Sequence, residues 1–152
     1  MPAALDALVD ELNDADRQER IELLIDMAKG LPPLPERLAH FKDEAHRVPE
    51  CMSPVFLFVE LRAGQVALYA DAPIEAPTVR GFVALLVEGL DGATVEEVLL
   101  VPHDLADRAG IREIVGMQRA AGLPGILRRL KAMVTRASIS QPADAETERV
   151  SP

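Results

Sequence analysis

Tryptophan is absent from this chain, tyrosine occurs once and phenylalanine four times, so aromatics make up only 3% of it. Its core must therefore be built from Leu, Val, Ile and Ala. Cysteine also occurs once, at Cys51, which excludes an internal disulfide and a cysteine-based metal cluster within one chain. Positive charge is in short supply: 16 Lys and Arg stand against 25 Asp and Glu, for a net charge of −9. Acidity of this degree disfavours nucleic acid and anionic membrane surfaces as partners, because both require clustered cations. Apolar runs long enough to span a bilayer are missing. The segment Met1-Pro2-Ala3-Ala4-Leu5-Asp6 lacks the basic stretch and apolar run of a signal peptide. A cytoplasmic protein is expected.

What is present is ordinary for a folded domain: 152 residues, 49% hydrophobic and 27% charged. Leu5, Leu8, Val9 and Leu12 recur at helical spacing. Asp16 and Glu19 have the form of a capping box for a second helix carrying Ile21, Leu24, Ile25 and Ala28. Gly30 is expected to stop that helix in left-handed geometry, ahead of Pro32-Pro33. A proline-punctuated connection follows, with a turn or two of helix at Pro35–His40.

The period then changes. Val55 to Leu61 alternates as a strand, Arg62-Ala63-Gly64-Gln65 turns, and Val66 to Ala70 returns. Thr78 opens a helix with Val79, Phe82, Val83, Leu86 and Leu90 inward, and Thr94…Glu97 is a second capping box. Short helical pieces are expected at Asp104–Ala109 and Ile111–Val115, and a last helix from Leu123 carries Ile126, Leu127, Leu130, Met133 and Val134. The fold class is α+β: helices packed on a small antiparallel hairpin sheet, with room for a third strand. Residues 1–136 form one domain, and 137–152, polar and aperiodic, form a disordered tail.

Cys51 is the first candidate for chemistry. Arg47-Val48-Pro49-Glu50-Cys51-Met52-Ser53-Pro54 brackets it with prolines, which force extended or turn geometry and place it at a loop tip before the strand. A thiol there can be presented to another molecule, but a free cysteine is more often an inert, small buried hydrophobe. His46 and Arg47, folded back, would lower its pKa, whereas Glu50 would raise it. No protease-type signature joins Cys51 to His40, His46 or His103. Arg119, in Met117-Gln118-Arg119-Ala120-Ala121-Gly122-Leu123, reads as a loop residue at the entry to the last helix. It is either a surface cation paired with an acid or a contact for a partner or a sulfur anion. The run Arg128-Arg129-Leu130-Lys131 reads as a solvated helix face, and the pairs Glu96-Glu97 and Asp104/Asp107 as capping and helix-dipole charges. No metal site is built on them.

In order, Leu31-Pro32-Pro33-Leu34-Pro35, Arg47-Val48-Pro49-Glu50-Cys51, Asp71-Ala72-Pro73, Val79 to Leu86, Gly89-Leu90-Asp91-Gly92 and the closing Gln118-Arg119…Gly122-Leu123 resemble the SufE family of cysteine-desulfuration proteins. The similarity runs from about residue 4 to residue 136. It implies a sulfur acceptor that takes persulfide sulfur from a pyridoxal-phosphate cysteine desulfurase onto Cys51 and passes it to iron–sulfur scaffold proteins. No cofactor or metal of its own is implied. Arg119 falls on the family's closing arginine, with a partner-contact or site-ordering role. Met52 stands where the family commonly has glutamine, and Ala121 where it has asparagine. Met52, Val55 and Phe56 would shield the persulfide. Two other readings stand beside this one: an activator that stimulates a desulfurase by binding alone, and a thiol redox sensor. Monomer and homodimer are both left open.

Overall fold

The chain winds around one buried helix, α4 (Pro77–Leu90). The computed structural model describes the backbone of residues 1–150 and the side chains of residues 1–140. The sequence stripe accounts for one face of α4, but Ala84, Leu85, Gly81 and Gly89 are buried as well. A helix apolar over most of its circumference must be covered over most of it, and the rest of the fold does this, leaving Glu88 exposed.

On one side lie α1 (Ala3–Asp14) and α2 (Arg17–Lys29). Gly81 and Gly89 bring them close: a Cβ on Gly81 would lie 2.5 Å from the Leu24 carbonyl oxygen, and one on Gly89 2.7 Å from Leu5 Cδ1. The link between α1 and α2 is held by Arg20, whose guanidinium donates to the carbonyls of Leu12, Ala15 and Gly110. Asp16 caps α2 as expected, accepting from the Glu19 amide at 2.9 Å. Gly30 ends α2 in right-handed geometry with φ −85°, not the expected left-handed one. Its amide reaches back to the Asp26 and Met27 carbonyls, so the chain closes without reversing hand.

On another side lies the hairpin β1 (Phe56–Arg62) and β2 (Gln65–Asp71), antiparallel with Phe58 opposite Tyr69. Its two-residue turn has positive φ at both Ala63 (53°) and Gly64 (79°), matching the twist of the strands. Among the described residues the sheet has two strands, and what stood for a third is reduced to single bridges, Arg47 to Phe56 and Gln65 to Thr94.

Between Lys29 and β1 comes the short α3 (Glu36–Ala39). After α4 come α5 (Val95–Leu99), α6 (Leu105–Arg108), α7 (Arg112–Val115), α8 (Met117–Ala120) and α9 (Leu123–Val150). The Thr94–Glu97 capping box is complete, with hydrogen bonds in both directions. Helix α8 was not expected: a single turn set off by Gly116 at φ 84° is too short to show periodicity. Helix α9 packs against β1 and α5. It continues through 137–140, assigned from the sequence to the tail, where the Ser138 and Ser140 hydroxyls donate to the Thr135 and Arg136 carbonyls. The side chains of the remaining expected tail lie outside the described residues.

Candidate functional site

The segment before β1 folds back on it and makes a small flap. The Leu57 amide donates to the His46 carbonyl at 2.8 Å and the Val48 amide to the Val55 carbonyl at 2.9 Å. Val48 and Val55 are both wholly buried at the root of the flap. Between them runs Pro49 to Pro54, closed by the Cys51 amide on the Val48 carbonyl (3.3 Å) and the Val55 amide on the Ser53 carbonyl (2.9 Å). The prolines therefore bracket a tip, as the sequence implied. The thiol, however, is not presented to solvent: Cys51 is 4% exposed and belongs to the hydrophobic core, while Pro49, Glu50 and Met52 around it are exposed.

The floor beneath the tip is the start of α9. A Cβ on Gly122 would lie 3.1 Å from Cys51 Cα and 3.2 Å from the Glu50 carbonyl oxygen, so the backbone of the flap rests on bare glycine. Helix α8 leads into this floor, and the Gly122 amide donates to the Arg119 carbonyl at 3.0 Å. Arg119 is thereby on a helical turn, not the loop expected, and is exposed.

Burial pushes the Cys51 thiol pKa above its ordinary value, against a backbone hydrogen bond from Ser53 and the charges of Arg47 and Arg119, which lower it; Glu50 raises it further. Desolvation wins because a thiolate in the core has no water to stabilise it. Free Cys51 is thus a neutral thiol with two guanidinium groups already placed to favour its anion.

His46 is engaged elsewhere. Its ring stacks on Phe58 with centroids 4.4 Å apart, and its Nδ1 lies 2.7 Å from Asp43 Oδ1. That hydrogen bond to His46 is the chief cause holding the Asp43 carboxyl below its usual range. Met52, expected to help shield a persulfide, is 73% exposed, whereas Val55 is wholly buried. His40 and His103 are exposed, as read from the sequence for His103.

The basic run of α9 is not merely a solvated face. The Arg129 guanidinium donates to the Ala45 carbonyl, the Lys131 ammonium to the Val101 carbonyl, and Arg128 lies 3.9 Å from the Glu50 carboxylate. These cations fasten α9 to the flap, to the segment before it and to the chain just after α5. Desolvation lowers the Lys131 pKa accordingly. A run of cations looks the same in sequence whether it faces water or neighbouring carbonyls. Arg129 also lines a groove of about 280 Å³ with Ala45, His46, Val59, Met133 and Arg136. Among the described residues, no cluster of three or more His, Cys, Asp or Glu could hold a metal ion, and no helix is long and apolar enough to cross a membrane.

The SufE family model, described as an Fe-S metabolism associated domain, matches residues 6–134. The chain belongs to the SufE family. A SufE-like protein of Mycobacterium tuberculosis, itself uncharacterized, is 36% identical over 90% of this chain and 95% of its own length. A cysteine desulfuration protein SufE of Plasmodium vivax is 29% identical over 81% of this chain and 48% of that protein. The solution structure of a hypothetical protein from Thermus thermophilus superimposes with a TM-score of 0.80, at 34% identity, over 91% of this chain and 98% of that one. The SufE match spans the flap, its glycine floor and the helix pair around α4.

Proposed function

We propose that this SufE-family protein is a sulfur acceptor, with Cys51 taking persulfide sulfur from a cysteine desulfurase and handing it on to iron–sulfur cluster assembly. The observation that carries the reading is the placement of the chain's one thiol. It sits at the tip of a proline-bracketed flap, with the Arg47 and Arg119 charges acting on it. The family's association with Fe-S metabolism and the Plasmodium vivax relative's name, a cysteine desulfuration protein, point the same way.

Transfer requires the flap to lift, because the thiol is 4% exposed when it is closed. Lifting removes the desolvation that disfavours the thiolate, and the two arginines then act on an anion in a wetter setting. The Cys51 thiolate attacks the outer sulfur of the donor's persulfide. A sulfur–sulfur bond forms at Cys51 as the donor's breaks, and the proton that Cys51 gave up ends on the departing donor thiolate. No oxidant or reductant is consumed. Passing the sulfur onward repeats the exchange with the roles reversed.

Burial of Cys51 also favours a second reading, in which the protein activates a desulfurase by docking alone. Cys51→Ser separates the two. The acceptor reading expects the variant to bind the desulfurase but lose at least nine-tenths of its stimulation of cysteine turnover, on the order of the 1.4 kcal/mol per decade that separates a working from a blocked step. Undiminished stimulation by the variant contradicts the acceptor reading and supports docking.

A further inference from the structure

Glu50 immediately precedes Cys51, and its side chain lies over the first turn of α9. A Cβ on Gly125 would come within 2.6 Å of Glu50 Cβ and 3.0 Å of Glu50 Cδ. Gly122, three residues earlier in the turn that enters α9, supports Cys51 Cα and the Glu50 carbonyl in the same way. Two bare positions thus make a bed for two consecutive residues, one carrying a carboxylate and the other the thiol.

Two influences on that carboxylate act toward closure. It sits at the N-terminal turn of α9, where unpaired amides favour negative charge, and its Oε2 lies 3.9 Å from an Arg128 guanidinium nitrogen. The side chain of Glu50 keeps 37% of its surface exposed, so it can leave this bed without disturbing the core. Met52, on the other side of the thiol, is 73% exposed and supplies no comparable hold.

We propose that Glu50 is a positioning residue, a latch that holds the flap shut over Cys51 through the first turn of α9 and Arg128. The purpose of the latch rests on the sulfur-acceptor reading: it keeps the acceptor thiol covered in the free protein and is released when the flap enters a donor's site.

The test is the rate at which iodoacetamide alkylates Cys51 in the folded, free protein. Glu50→Gln removes the charge and leaves the packing; it speeds alkylation about fivefold, the combined weight of a helix-terminus contact and a surface ion pair. Gly125→Ala sets a methyl group against Glu50 and speeds it at least as much. Alanine is the better helix former, so the substitution does not loosen α9 itself. In a Glu50→Gly background the wedge has no target, and adding Gly125→Ala leaves the rate unchanged. Parental rates in both single variants overturn the latch, as does a Gly125→Ala effect that persists undiminished beside Glu50→Gly. If Gly125→Ala fails to fold, judged by its thermal transition, Glu50→Gln decides alone. Alkylation needs no donor, so the two ideas fail separately. Parental alkylation with normal sulfur acceptance sinks the latch only, and faster alkylation with no sulfur acceptance sinks the acceptor reading only.

Discussion

At Cys51 two opposed influences meet on one atom: burial favours the neutral thiol, and the guanidinium charges of Arg47 and Arg119 favour the anion. Burial dominates in the closed flap, so the folded pKa lies above that of the unfolded chain. The sign follows from linkage. Between the two pKa values the unfolded chain has lost its thiol proton and the folded one has not, so this contribution to stability is intact below the ordinary thiol range and is lost as pH rises through the folded value. Native alkylation plotted against pH should therefore have its midpoint above that of the urea-denatured protein. Arg119→Ala should move the native midpoint higher still, and Arg119→Lys should leave it near the parent. A native midpoint at or below the denatured one contradicts the assignment. Much of this was legible in the sequence: one cysteine, two flanking prolines and a nearby arginine mark the place. The burial was not legible, because it depends on Gly122, seventy-odd residues away in a chain whose local pattern there shows only a helix start. The His46 ring is engaged by Asp43, three residues before it, and by Phe58 across the bend into β1; the second of these contacts was not legible from local sequence.

At the scale of elements, periodicity and capping chemistry placed the long helices and the hairpin, since both are local. The Thr94–Glu97 box and the Ala63–Gly64 turn need only their own few residues. What escaped was set by distant packing: the one-turn α8, the hand of Gly30, and the anchoring role of Arg128, Arg129 and Lys131. The same distinction applies to α4. By propensity, Gly81→Ala improves an interior helix position by about 1 kcal/mol. Against this, the new Cβ meets the Leu24 carbonyl oxygen at 2.5 Å, a backbone atom that cannot step aside without moving α2. Overpacking of this kind costs about 1–3 kcal/mol, so the net change is a loss of up to about 2 kcal/mol. Urea unfolding should show a lower midpoint with an unchanged slope. A midpoint at or above the parent's would mean that α2 and α4 are not in the tight contact described.

For the whole molecule, a two-stranded sheet and several one-turn helices are too slight to stand alone. They are organised by α4, with α1 and α2 on one side and the hairpin on another, while α9 lies along β1. The flap stands where the start of β1 meets the start of α9, so the thiol is buried by parts of the chain distant in sequence, although it sits at the tip of a short loop. The chain has a single thiol, which allows no internal disulfide. The most direct test uses that singularity. The protein is incubated with a cysteine desulfurase, pyridoxal phosphate and cysteine, and then its intact mass and its peptides are measured without reductant. The account predicts a gain of one sulfur atom, located on Cys51 and absent from Cys51→Ser. A protein that stimulates the desulfurase while its mass stays unchanged would contradict it.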